Sequence, residues 1–288
     1  MTKDAVLAIL RKENDYISGE HISRLLGVSR AAVNTAVKAL RAEGYEISSS
    51  TNKGYHLDAV PNSISAQELA AYLDEARMQT VECLASVDST NNRLRELALA
   101  GAPNGQVVLA NEQTQGKGRR GRAFASPQDN GIYLSILFHP DTLPTDIVEI
   151  TAWTAVATNN AIEEVCGVRA GIKWVNDLVI DRKKICGILT EMSVESESGY
   201  IQYLIIGIGI NVNGQAEDFP EEVRHIATSL AMETGKAHSR AALAAALIRE
   251  LDSMCRAWPK EKTEYLEAYR RDNITTGKEI TVVRGTEE

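Results

Sequence analysis

Apolar residues fall at helical spacing along the first stretch of the chain. Val6, Leu7, Ile9 and Leu10 give a first helix one apolar face, and Ile17-Ser18-Gly19 interrupts it. Ile22, Leu25 and Leu26 do the same for a second helix, which ends at Gly27. Ala32, Val33, Ala36, Val37 and Leu40 predict a third, with Ser29 as a natural N-cap. Beyond it, Tyr45-Glu46-Ile47 and Gly54-Tyr55-His56-Leu57 flank a polar turn and predict a β-hairpin. Two short helices joined through Gly27-Val28-Ser29 form a helix-turn-helix pattern, and the hairpin makes it a winged one. Ser29, Arg30, Asn34, Thr35, Lys38 and Arg41 lie off the apolar stripe, where they can face a DNA groove and its phosphates. The same polar face also suits a three-helix protein-interaction module.

After a short Pro-Asn-Ser linker (residues 58–63) the periodicity changes. Ser65, with Glu68 three residues on, is a capping box that predicts a helix through Leu69 and Leu73. Another helix follows Asp88-Ser89-Thr90-Asn91 and turns Leu94, Leu97 and Ala98 inward. Strands are predicted at 106–111, 131–139, 171–174, 178–181, 185–191 and 200–212, and helices at 151–166, 240–258 and 261–272. This alternation implies an α+β or mixed α/β domain on one large sheet. Residues 213–222 are polar apart from Phe219 and read as a lid.

Chemistry concentrates in the segment Gln113-Thr-Gln-Gly-Lys-Gly-Arg-Arg-Gly-Arg122. Gly116, Gly118 and Gly121 allow close backbone approach, and Lys117, Arg119, Arg120 and Arg122 supply cations. Such a loop suits a small phosphate- or carboxylate-bearing ligand, or loose contact with nucleic acid. A second segment, Lys173-Trp174-Val175-Asn176-Asp177, places polar groups at the end of an apolar run. Residues 179–189 then read as a hairpin with a charged turn, and Lys184 stands where that turn enters an apolar strand. Trp174 suits stacking or burial, and Lys173 a ligand or an ion pair. Gly207 and Gly209 mark a strand approached closely rather than half a dinucleotide fingerprint. The net charge of −8 confines any nucleic-acid contact to a local patch. Four scattered cysteines and five histidines form no metal-ligand spacing, so no protein-held metal is expected. With no signal peptide and no apolar run long enough to span a bilayer, the expected location is the cytoplasm.

The glycine-rich loop, the Lys173–Asp177 segment, the Lys184-Ile185-Cys186-Gly187 run and Asp88-Ser89-Thr90-Asn91 occur in an order that resembles the biotin protein ligases, specifically the bifunctional bacterial enzymes that also repress transcription. The resemblance implies an N-terminal winged helix-turn-helix over residues 1–60, a biotin/lipoate-ligase-like catalytic domain over 64–271, and over 272–288 the remnant of an SH3-like barrel. Residues 279–283 would be the first strand of that barrel, and the sequence stops short of the roughly five strands it needs. The implied reaction joins biotin to ATP as biotinyl-5′-AMP, with Mg²⁺ arriving on the nucleotide. Biotin then passes to a lysine of a biotin carboxyl carrier protein, the acetyl-CoA carboxylase subunit, or of another biotin-dependent carboxylase. Position by position, the resemblance assigns biotin to Ser89, Thr90, Asn91, Gln113, Lys117, Gly118, Arg119, Lys184, Gly187 and Asn211. It assigns the nucleotide to Gly116, Arg119, Arg120, Arg122, Phe124, Asn176 and Asp177, and catalysis to Lys184 and Arg119. Operator DNA and a homodimer are the other implied partners, with no membrane. Three positions depart from the family pattern: Lys117 where arginine is usual, Val175 for proline and Phe124 for tryptophan. Two other readings fit the residues less closely: a DNA-binding sensor that only binds the ligand, and a lipoate–protein ligase.

Overall fold

The computed structural model describes residues 2–279, apart from 141, 146 and 148. The chain divides into two compact units at the Ser63/Ile64 junction.

In the first unit α1 (Thr2–Lys12), α2 (Gly19–Leu26) and α3 (Arg30–Ala42) enclose Val6, Leu10, Ile22, Val33, Val37 and Leu40, each at most 2% exposed. Gly27 ends α2 in the left-handed conformation (φ 64°), and the Ser29 hydroxyl caps α3 by accepting from Ala32 N at 3.1 Å. The wing is the antiparallel pair β1 (Glu46–Ser50) and β2 (Gly54–Ala59). Two expectations change here. Leu25 does not join the core: it is 59% exposed, because the three-helix core closes over the Ile22 side of α2 and leaves that flank without a neighbour. Arg41 does not stand free for DNA, since its Nε donates to Ile47 O at 2.9 Å and its Nη2 to Ser49 Oγ at 2.7 Å, tying α3 to the wing.

The second unit opens with two single-turn helices, α4 (Ala66–Leu69) and α5 (Glu75–Met78). The Ser65 hydroxyl caps α4 as its sequence predicts, but the helix stops at Leu69 rather than running to Leu73. Next come β3 (Val81–Leu84), α6 (Thr90–Leu99), β4 (Val107–Ala110), β5 (Gly131–Phe138) and α7 (Ile150–Cys166). The chain continues through β6 (Gly171–Lys173), β7 (Asp177–Ile180), β8 (Lys183–Val194) and β9 (Ile201–Asn211). Helices α8 (Leu230–Thr234), α9 (Arg240–Ala257) and α10 (Lys262–Asp272) follow. Among the described residues, the strands form one mixed sheet in the order β3-β4-β5-β9-β8-β7-β6. Strand β3, parallel to β4, is too short to signal itself in the sequence.

This sheet has two unlike faces. Along residues 132–138, 186–188 and 204–210, even-numbered residues such as Leu134, Ile188 and Ile208 belong to a large core shared with α7 and α9. Odd-numbered residues face the other way. Register sets Tyr133, Gly209 and Gly187 in one row across β5, β9 and β8, and Ser135, Gly207 and Leu189 in the next. Helix α6 covers part of this face over Val108, Leu137, Tyr203 and Ile205. The glycines leave the remainder as a depression. The expected strand at 279–283, the first of the implied C-terminal barrel, lies outside the described residues beyond Glu279.

Candidate functional site

The depression is an open groove of roughly 460 Å³. Its inner end is built on the first turn of α6. Ser89 is the N-cap residue yet its side chain makes no capping bond, while Thr90 and Asn91 are 4% and 3% exposed. Thr90 donates to Gln113 Oε1 from both N (2.9 Å) and Oγ1 (3.0 Å), and Gln113 Nε2 donates to Ser126 Oγ at 2.9 Å. Both ends of the Gln113 amide are therefore fixed. Ser135 Oγ lies within hydrogen-bonding distance of Thr90 Oγ1 (2.8 Å) and Asn91 Oδ1 (2.6 Å). The helix N-terminus adds partial positive charge at this end.

The roof is the basic loop. Gly118 N donates to Arg122 O at 2.7 Å, which closes a tight turn around residues 119–121, with Arg120 in the left-handed region (φ 56°). Lys117 and Arg119 line the groove. Lys117 Nζ donates to Asn92 Oδ1, and Asn92 in turn donates to Asp88, whose carboxyl is held below its ordinary range chiefly by that bond. Arg119 Nη1 donates to Asn176 Oδ1 at 3.2 Å and so joins the loop to the Lys173–Asp177 turn.

Lys184 forms the opposite wall. Its backbone is fixed on both sides, by donation from its N to Ile226 O (2.7 Å) and by acceptance at its O from Thr228 N (3.0 Å). Its Nζ stands 2.7 Å from Asp177 Oδ1 and 6.0 Å from the centre of the Phe124 ring. The floor is glycine for steric reasons. A Cβ on Gly209 would sit 2.5 Å from the Phe124 ring, and one on Gly207 2.3 Å from Asn91 Oδ1. What approaches β9 closely in this structure is thus the protein's own Phe124 and Asn91. Neighbouring Cys186 is wholly buried, and burial pushes its thiol far up, so it offers no nucleophile.

Eleven of the residues singled out in the sequence come together here: Ser89, Thr90, Asn91, Gln113, Lys117, Gly118, Arg119, Phe124, Asn176, Lys184 and Gly187. Five do not line this groove. Gly116 is at the base of the loop, where a Cβ would meet Phe124 O at 2.3 Å. Arg120 and Arg122 are exposed and are not part of its lining. Asp177 reaches it only through Lys184. Asn211 donates to Lys184 O (3.3 Å) and Thr228 O (3.0 Å), and lines a smaller recess of about 240 Å³ beyond Phe124 with Asn130, Tyr133, Asp218 and Phe219. The 213–222 segment is folded against that recess, with a Gln215–Asp218 capping box and Phe219 buried. Trp174 is not buried: it is 66% exposed. Sequence reasoning missed the supporting residues Ser135, Arg95 and Glu191, which become visible only when register is known.

In the first unit Arg30 and Lys38 are exposed and make no hydrogen bond or ion pair among the described residues. Asn34 Nδ2 donates to Tyr55 OH (3.2 Å) on the wing and Thr35 Oγ1 to Ala31 O (3.0 Å), so both are partly engaged. Among the described residues no helix is long and apolar enough to cross a membrane, and no cluster of His, Cys, Asp and Glu is suited to a metal.

Residues 83–211 match the model of the biotin/lipoate A/B protein ligase family, and residues 2–56 match an HTH domain. A protein of Bacillus subtilis (strain 168) named bifunctional ligase/repressor BirA is 40% identical over 242 residues, 84% of this chain and 74% of that protein. One of the same name from Escherichia coli (strain K12) is 28% identical over 283 residues, 98% of this chain and 86% of the other. The biotin protein ligase of Aquifex aeolicus in complex with biotin and ATP superposes with a TM-score of 0.59 at 28% identity, covering 68% of this chain and 79% of that one.

Proposed function

The chain belongs to the biotin/lipoate A/B protein ligase family and, within it, to the bifunctional ligase/repressors, and from that premise we infer how its groove serves the reaction. It is an ATP-dependent biotin–protein ligase: biotin and ATP give biotinyl-5′-AMP and pyrophosphate, and biotin is then transferred to a lysine of a carboxyl carrier protein. The helix-turn-helix unit makes the same chain a biotin-responsive repressor. The observation that carries the residue assignments is the convergence of Lys117, Arg119 and Lys184 on a glycine-floored groove with a hydroxyl- and amide-lined inner end. Such a groove suits one ligand with a neutral polar head and an anionic tail, next to a second anionic ligand.

The Ser89 hydroxyl, with the fixed Thr90 hydroxyl and Gln113 amide, takes the biotin head. Lys184 and Arg119 draw the biotin carboxylate and the α-phosphate together and neutralise the charge that develops on phosphorus. In the free protein Asp177 holds the Lys184 ammonium, and the ligands' anionic groups compete with it for that cation. No covalent enzyme intermediate is required, which agrees with a buried, strongly raised Cys186 thiol. The recess beyond Phe124, closed by Asp218 and Phe219, takes the base of the nucleotide. Mg²⁺ would arrive on the ATP phosphates, where it would supply charge neutralisation, and Asp177, beside Lys184, would be available to hold it.

For repression, Ser29, Arg30, Asn34, Thr35 and Lys38 on α3 face operator DNA. Two copies of the chain, in the cytoplasm, read the two halves of an inverted repeat. Incubation with ATP, Mg²⁺ and labelled biotin, with lipoate in parallel, tests the enzymatic reading. Adenylate and acceptor label are expected from biotin alone, and label from lipoate alone overturns it.

A further inference from the structure

The inner end of the groove has a second layer that none of the assignments above uses. Glu191 on β8 accepts from Asn91 Nδ2 through Oε2 at 2.7 Å and from Arg95 Nη2 through Oε1 at 2.9 Å. Arg95 lies one turn along α6 from Asn91, so helix and strand are tied on the groove side of the sheet. Asn91 is 3% exposed and its Oδ1 lies over Gly207, where no larger residue fits. Its position is therefore set by packing, but the direction of its amide is not. A carboxylate accepts and does not donate. Facing one, Asn91 must present Nδ2 to Glu191 and Oδ1 to Ser135.

That direction has a consequence for Thr90. Ser135, wholly buried, has one hydroxyl proton and two acceptors within reach, Asn91 Oδ1 at 2.6 Å and Thr90 Oγ1 at 2.8 Å. Asn91 takes the proton only while its carbonyl end faces Ser135. Turned round, it offers N–H instead, Ser135 donates to Thr90, and one of the two Thr90 lone pairs is filled from behind, so that Thr90 Oγ1 competes less well for a further donor. We propose that Glu191 is a positioning residue: it holds Asn91 in one amide orientation and thereby leaves Thr90 Oγ1 open as an acceptor for an N–H of the bound head group. Arg95 fixes the carboxylate that does this. The inference rests on the reading of the groove as a biotin site.

Glu191→Gln is the informative substitution, because it keeps shape and hydrogen bonding while adding a donor. Arg95 claims the new amide oxygen, the amide nitrogen faces Asn91, and Asn91 turns. Biotin and ATP binding are measured separately by calorimetry on the full chain, with KM for each substrate in adenylate formation. Biotin Kd and KM should rise about ten- to hundredfold, the effect of losing one buried hydrogen bond, while the ATP values, kcat and melting temperature stay near wild type. Asn91→Asp sets two acceptors against each other and should weaken biotin binding likewise. Combining it with Glu191→Gln restores a donor–acceptor pair, now with the new amide at position 191 donating to the new carboxylate at position 91, and keeps an acceptor facing Ser135, so the double variant should recover most of the affinity. Unchanged biotin binding in Glu191→Gln overturns the proposal, and so does an equal loss for biotin and ATP. Should Glu191→Gln not fold, additive losses with no recovery in the double variant overturn it as well. Wild-type protein that binds no biotin overturns the underlying reading and this inference with it.

Discussion

Lys184 owes its place to backbone rather than side-chain contacts. Bonds to Ile226 and Thr228 hold its main chain at the mouth of β8, and its ammonium is then shared with Asp177. Lys184→Gln should slow adenylate formation by about two orders of magnitude or more, in line with the ~2.7–4 kcal/mol lost with one charge-stabilising donor, and reduce biotin affinity far less. Single-turnover formation of labelled adenylate reads this directly, and a wild-type rate contradicts the role. Gly209 illustrates the opposite kind of residue, one that matters for what it lacks. In Gly209→Ala the added Cβ displaces the Phe124 ring it would meet at 2.5 Å, at an overpacking cost of ~1–3 kcal/mol. ATP KM should rise more than biotin KM, because Phe124 packs edge-on against Tyr133, which lines the outer recess. The cysteines carry a pH signature instead of chemistry. Burial raises Cys83 from the ordinary 9.0 to about 11 and Cys255 to about 12. Below pH ~9 both thiols are protonated whether the chain is folded or unfolded, so their contribution is fully present. As pH rises toward 11–12 the unfolded chain releases protons first and that contribution is lost. Urea midpoints should therefore fall on the alkaline side, less steeply in Cys255→Ala.

Among the elements, the 116–122 loop was legible as glycine and cation, but its spacing did not reveal which cations turn inward. A tight turn closed by Gly118 N and Arg122 O sends Arg119 to Asn176 and leaves Arg120 outside. Arg119→Gly removes a charge-assisted contact of ~1.5–3 kcal/mol at the lip of the groove. The adenylate should then dissociate faster and label bystander lysines, whereas Arg120→Gly should behave as wild type. Stopped-flow release of a labelled adenylate distinguishes the two. On α3, Arg30 and Lys38 are exposed and uncommitted while Arg41 is bonded to the wing. Arg30→Ala or Lys38→Ala should weaken operator binding at least tenfold and lower its salt slope by about one, leaving biotinylation intact. Arg41→Ala should lower the melting temperature instead.

At the level of the whole molecule, the two units have separate apolar cores, with no residue in common between them. Residues 64–279 alone should therefore biotinylate an acceptor domain at a rate within a few fold of the full chain, and should not bind DNA. If ligand in the groove and pairing of two chains are linked, biotin with ATP should raise operator affinity about 5- to 150-fold, the usual range for coupling between sites. An electrophoretic shift and sedimentation of the same sample, with and without the adenylate, read both quantities. A tighter shift with no change in mass would separate ligand response from pairing.

The sequence by itself determined the helix-turn-helix, the order of the longer strands and helices, and the residue types of the groove, though not β3, α5 or α8. These follow from local physics: helical and strand periodicities, Ser29 and Ser65 as caps, and glycines interleaved with cations. Tertiary structure decided the rest. Asn211, assigned to biotin by the resemblance, lines the smaller recess and binds the main chain at Lys184 and Thr228, because β9 carries it past the groove, and Leu25 and Trp174 were left exposed because no neighbour covers them. The Glu191–Asn91–Ser135 chain joins β8, α6 and β5, and residues 44 and 100 positions apart meet only once strand register is fixed. Register is a long-range property, since a slip of one residue would turn Glu191, Gly207 and Ser135 to the other face. No local pattern in the chain encodes it.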